Sequence, residues 1–173
     1  MSRLTTMSPE AIKAVFSPDS DKELFILLTI YDPEDETTPI LWLTDSFNQR
    51  ISENSEEVTY GVVSRGQSFT FLPVEISLPS EEEAQAPRCS ISITDVTRYV
   101  VPLLRETVGQ PKVLMELVLS SSPNTVEVSF DGFYIVGATY SMNTVSLELS
   151  MVDYEREPFP AHSFSPLYFP GLF

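Results

Sequence analysis

Residues 144–151 read TVSLELSM, and every second side chain is apolar: Val145, Leu147, Leu149 and Met151 fall on one face. An extended chain alternates its side chains between two faces, so this pattern fits a strand with one face buried and does not fit a helix. The pattern recurs. Cys89, Ile91 and Ile93 alternate with Ser90, Ser92 and Thr94, and Val126, Val128 and Phe130 form another such series. Phe69 and Phe71, then Val74, Ile76 and Leu78, alternate on either side of Pro73, which marks a bulge or an edge position. The runs KELFILLTIY (22–31), ILWLT (40–44) and KVLMELVLS (112–120) are mostly apolar, the first nearly continuously so, and too short to read as helices. They read as strands, the first covered on both faces.

The punctuation agrees with strands. The acidic stretch DPEDETTP joins the first two as a hairpin, Arg65–Gly66 is a turn after the strand VTYGVVS (58–64), and Asp131–Gly132 is a hairpin signal before FYIVGATY. DSFNQRISENSEE reads as a loop or a ragged edge. Two segments have the helical period instead. Ser8 caps, Pro9 takes the first helical position, Glu10 complements the positive helix end, and Ile12, Val15 and Phe16 share a side. Val96, Val100, Leu103 and Leu104 mark a second helix, with Thr97 as its cap, Pro102 distorting its middle and Gly109 as its stop. The expected fold is β-rich α+β: a barrel or sandwich with one or two short helices and an extended C-terminal arm. The expected divisions are 1–20 (helix and linker), 21–156 (core) and 157–173 (arm).

The formal net charge is −15. Nucleic-acid binding draws on clustered Lys and Arg, and anionic membranes repel such a chain, so neither is an expected partner. Cys89 is the only cysteine, which rules out an intrachain disulfide and a thiolate metal cluster built from one chain. The N-terminus lacks the apolar core of a signal peptide, and no apolar run approaches the roughly 20 residues needed to span a bilayer. These features fit folding in the cytosol without a membrane anchor.

Catalytic patterns are weak. The one histidine, His162, sits in a proline-rich segment, and no GxSxG elbow occurs. Asp19–Asp21 and Asp32–Glu36 read as solvated turns, since a calcium loop needs a glycine and a distal glutamate that are not there. Glu75 and Glu148 alternate with core residues and so face water, and Trp42 reads as core. No catalytic, cofactor-binding or metal-binding residue is assigned, and the expectation is a non-enzymatic protein.

The end of the chain, EPFPAHSFSPLYFPGLF (157–173), holds four prolines, four phenylalanines and one charged side chain. Proline removes backbone donors and stiffens the segment before it docks. Composition leaves open whether it folds over its own domain or lies on a neighbour. The blocks LPVEIS, APRCSISITDVTRYVVPLLR and EPFP…FPGLF resemble a family of tail-tip proteins of long, non-contractile-tailed bacteriophages, catalogued as a domain of unknown function. More distantly, the order of features is similar to the N-terminal part of phage lambda tail-tip protein L, without its cysteine-rich region. The resemblance implies a structural part of the virion, made in the host cytoplasm. It would form a ring of three or six copies between the tail tube and the receptor-binding hub. The implied partners are the distal tail ring, the central hub or fibre protein and copies of itself, with DNA passing through the channel and no cofactor. Candidate subunit contacts are Phe159, Phe164, Tyr168, Phe169 and Phe173 in the arm and Ile12 and Phe16 in the first helix. The alternative is a carbohydrate-binding β-sandwich using Trp42 or exposed tyrosines; an acidic glycosidase ranks third.

Overall fold

Strand β1 (Leu24–Tyr31) is buried on both faces, as its nearly continuous apolar run predicts: Phe25, Leu27 and Thr29 point one way, Leu28 and Ile30 the other. The computed structural model in which it lies describes residues 7–17, 21–35, 37–53, 58–77, 88–95, 98, 100–107 and 109–151. Helix α1 (Pro9–Phe16) precedes β1. After it come β2 (Pro39–Thr44), β3 (Gln49–Glu53), β4 (Val58–Ser64), β5 (Gln67–Phe71), β6 (Val74–Ser77) and β7 (Arg88–Thr94). Helix α2 (Val100–Glu106) then leads to β8 (Lys112–Leu119), β9 (Ser122–Tyr140) and β10 (Thr144–Met151). All the strands join one sheet in the order β3-β4-β5-β2-β1-β8-β9-β10-β7-β6. Every pairing is antiparallel except β2 with β5, which is parallel over Leu43–Thr70 and Thr44–Phe71.

A sheet this wide must curl to bury both faces of its centre. One face of β1, β2, β8, β9, β10 and β7 lines the larger core, which includes Leu28, Leu43, Ile91, Val113, Phe133 and Leu147. Val100 of α2 is buried there, and Val101, Leu103 and Leu104 pack against it. The opposite face of β1 and β8 contributes Phe25, Leu27 and Val118 to a smaller core, roofed by Val62 of β4 and Phe69 of β5. The β3-β4-β5 wing is tied back across this second core. The Ser64 hydroxyl donates to the Pro123 carbonyl (2.6 Å), and the Arg65 N–H donates to Asn124 Oδ1 (2.6 Å). The architecture is the expected β-rich, sandwich-like one with two short helices. The arm expected at 157–173 lies outside the described residues.

Local chemistry explains most elements. Arg65 and Gly66 have φ of 51° and 81°, the left-handed pair of a two-residue hairpin whose twist matches its strands. Asp95 is buried, and its Oδ2 accepts the Val100 N–H at 2.7 Å, satisfying a donor at the start of α2. Thr97, the expected cap, lies outside the described residues. Pro102 is the third residue of α2, within the first turn where a helix needs no N–H, so it does not break the middle.

Another expectation is corrected. Asp131–Gly132 is not a hairpin: β9 runs straight through it for 19 residues. Val113 pairs with Phe133 and Met115 with Phe130, so β9 spends one extra residue there, with Gly132 at φ 85°. This is a glycine bulge, which needs the same backbone freedom as a turn. Residues 69–77 belong to two strands, and Pro73 stands just before the second, an edge strand. Leu72–Pro73 carries the chain from β5 beside β2 to β6, at the far edge of the sheet beside β7. In the stretch 45–57 the ragged-edge alternative holds: Gln49–Glu53 form the edge strand β3, with a bulge between Arg50 and Ser52.

Candidate functional site

Helix α1 is fixed to the body by its first turn. Ser8 Oγ accepts the Ala11 N–H at 3.1 Å, the N-cap its sequence predicts. The same serine is held by Glu127: its N–H donates to Oε2 (2.7 Å) and its hydroxyl to Oε1 (2.9 Å). Glu127 is buried because of a second irregularity in β9. Leu117 pairs with Val128 and Val118 with Val126, so Glu127 is the extra residue between them. Glu10 pairs with Lys22, which holds the Glu10 carboxyl below the usual carboxylate range. Ala11 is fully buried.

The far end of α1 behaves differently. Ile12 is half-buried, but Val15 is 51% and Phe16 69% exposed. The helix is therefore anchored on one side while its apolar end faces outward. Of the two helix residues singled out from sequence, Phe16 is exposed and Ile12 half-buried. Phe159, Phe164, Tyr168, Phe169 and Phe173 lie outside the described residues.

A second apolar surface sits on the β3-β4-β5 wing. The rings of Phe47 and Phe71 meet edge to face at 5.5 Å. Gly61 pairs with Thr70, which sets Tyr60 beside Phe71 one step along, on the face that carries Val62 and Phe69. Val58 follows two residues on. Phe47 is 65% exposed, and Tyr60 and Val58 are also open. Neither Phe47 nor Tyr60 stood out in the sequence, because Phe47 follows Ser46 in a polar stretch. The alternation of Val58, Tyr60 and Val62 was the available signal. Trp42 is half-buried and packs against the small core, as expected of a core residue.

The wing's tether is a bidentate pair. Arg65 Nη1 and Nη2 donate to the two oxygens of Glu116, a buried carboxylate in the middle of β8. The pair holds the guanidinium more firmly protonated than usual. Glu75 and Glu148 are exposed, as their alternation predicts. An open cleft of about 210 Å³ lies between the end of α2 and β9, lined by Leu104, Thr107, Gln110, Ile135 and Tyr140. At its edge the Arg105 guanidinium stands 5.1 Å from the Tyr140 ring centre. A second open cleft, of about 330 Å³, is lined by Asp32, Glu34 and Glu106. Among the described residues no group of three or more His, Cys, Asp or Glu side chains is placed to hold a metal ion. No described helix is long and apolar enough to cross a membrane. The chain matches no protein-family model, no curated protein and no solved structure.

Proposed function

We propose that this chain is a structural component of the tail tip of a long-tailed bacteriophage, assembled in the host cytoplasm into a ring between the tail tube and the receptor-binding hub. The observation that carries the reading is helix α1: pinned at Ser8, Ala11 and Glu10, it presents Val15 and Phe16 to the outside. A strongly acidic chain that fixes apolar side chains outward marks a place where protein meets protein. The tail-tip setting itself rests on the resemblance of the blocks around 72–105 and 157–173. An acidic surface lining a channel would let DNA pass without binding it. The neighbours in this reading are the distal tail ring, the hub or fibre protein and further copies of the chain. The test is assembly. Deleting residues 164–173 should leave a soluble protein that no longer enters tails, and Phe16→Asp should lower incorporation at least tenfold. A truncated chain found in finished tails removes the arm from this reading. The absence of the full chain from tail tips removes the reading altogether.

The exposure of Tyr60 beside Phe71 gives the carbohydrate-binding alternative its one specific support, since sugars stack on open aromatic rings. Glycan-array binding that is lost in Tyr60→Ala would favour it.

A further inference from the structure

We propose that the wing surface made by Phe47, Phe71, Tyr60 and Val58 receives the apolar C-terminal segment, residues 157–173, of a second copy of this chain. The inference deepens the assembly reading and rests on it in supposing that copies meet. The chemistry of the two parts matches. The surface is aromatic and continuous with a buried apolar cluster, as the sheet register and the Phe47–Phe71 contact place it. The segment holds four prolines spaced among Phe159, Phe164, Leu167, Tyr168 and Phe169. Proline-rich extended peptides dock in aromatic-lined grooves because little conformational freedom is left to lose.

Charge narrows the choice of occupant. In a chain of net charge −15, the segment carries only Glu157. The residue that sheet register places opposite Tyr60 is Arg50, a cation. Length allows the crossing. Drawn out at about 3.1 Å per residue, residues 152–168 span about 50 Å. A domain of this size is about 40 Å across. A second copy is the source that the assembly reading supplies, and the surface it would meet is open, with Phe47 65% and Tyr60 48% exposed.

The test uses full-length protein and disulfide capture. Cys89 is buried, and burial pushes its thiol up to about 11, so it stays out of the exchange. Phe47→Cys protein is mixed with Tyr168→Cys protein and oxidised gently. Tyr60→Cys serves as a second surface probe in case the first variant folds poorly. Met142→Cys, 76% exposed in the β9–β10 turn, is the control. The expected result is a mixed disulfide dimer formed at least tenfold faster with Phe47→Cys or Tyr60→Cys than with Met142→Cys. Equal rates for all three overturn the proposal. So does a Phe47→Cys/Tyr168→Cys double variant that closes only within one chain. Either failure leaves the tail-tip reading standing, because that reading is judged by whether the chain is present in particles.

Discussion

The two sides of the central strands differ in how they are held. The side built from β7, β9, β10 and α2 is a deep core whose members, such as Ile91, Val113 and Leu147, are fully buried. The β3-β4-β5 wing buries little beyond Val62 and Phe69, joins the sheet through two parallel residue pairs, and is secured by Arg65–Glu116 and Ser64–Pro123. The first side carries the stability that comes from excluding water. The second is held by a few directional polar contacts and leaves aromatic rings outside. Surfaces that must be remodelled on contact are drawn from the less stable parts of a fold. In the proposed assembly the wing would supply the interface and the other side the scaffold.

Substitutions can break or sharpen this contrast. Leu147→Ala, at a fully buried position of the large core, should cost about 3 kcal/mol of global stability, measured by denaturant unfolding. Gly61→Ala should act on the wing alone. A Cβ there would meet the Phe69 carbonyl oxygen at 1.9 Å and Ile51 Cδ1 at 2.7 Å, so β3, β4 and β5 must part. The local cost is about 2 kcal/mol, read as lost amide protection in β3–β5 with β7–β10 unchanged. Loss of protection in both regions would mean that they unfold as one unit. Ser8→Ala removes the cap of α1 and one donor to Glu127, and should cost about 1 kcal/mol, seen as faster exchange in α1 only.

The smallest effect concerns Asp45, which accepts the Ile26 N–H at 2.8 Å. Burial raises its pKa above the ordinary 3.8, so the folded state holds this proton more tightly than the unfolded chain does. Stability from this site therefore falls as pH rises through and above 3.8. Asp45→Asn, which keeps the acceptor, should be slightly more stable than the parent at pH 7 and equal to it at pH 3. An equal difference at both pH values would show that charge is not the cause.

Much of this fold is legible in the sequence because most strands announce themselves by alternation: Cys89–Ile93, Val145–Leu149 and the doubly buried run from Leu24 to Tyr31 lie where the pattern puts them. The misreadings arise where strand pairing, which is not local, decides the outcome. A glycine at positive φ serves a bulge as readily as a turn, so Asp131–Gly132 cannot be told apart locally. Glu127 alternates with Val126 and Val128 and so reads as solvent-facing; only the pairing with β8 reveals the extra residue that turns it inward. Pro73 marks a break, but the destination of the chain after it is set by the whole sheet. For the candidate surface, Phe16 was readable from helical spacing. Phe47 and Tyr60 became a patch only once β4 and β5 were paired.

Cryo-electron microscopy of tail tips containing this chain tests the central claim most directly. The account predicts a closed ring in which Phe16 and Tyr60 are both covered by neighbouring protein. A ring in which both side chains face open solvent would contradict it.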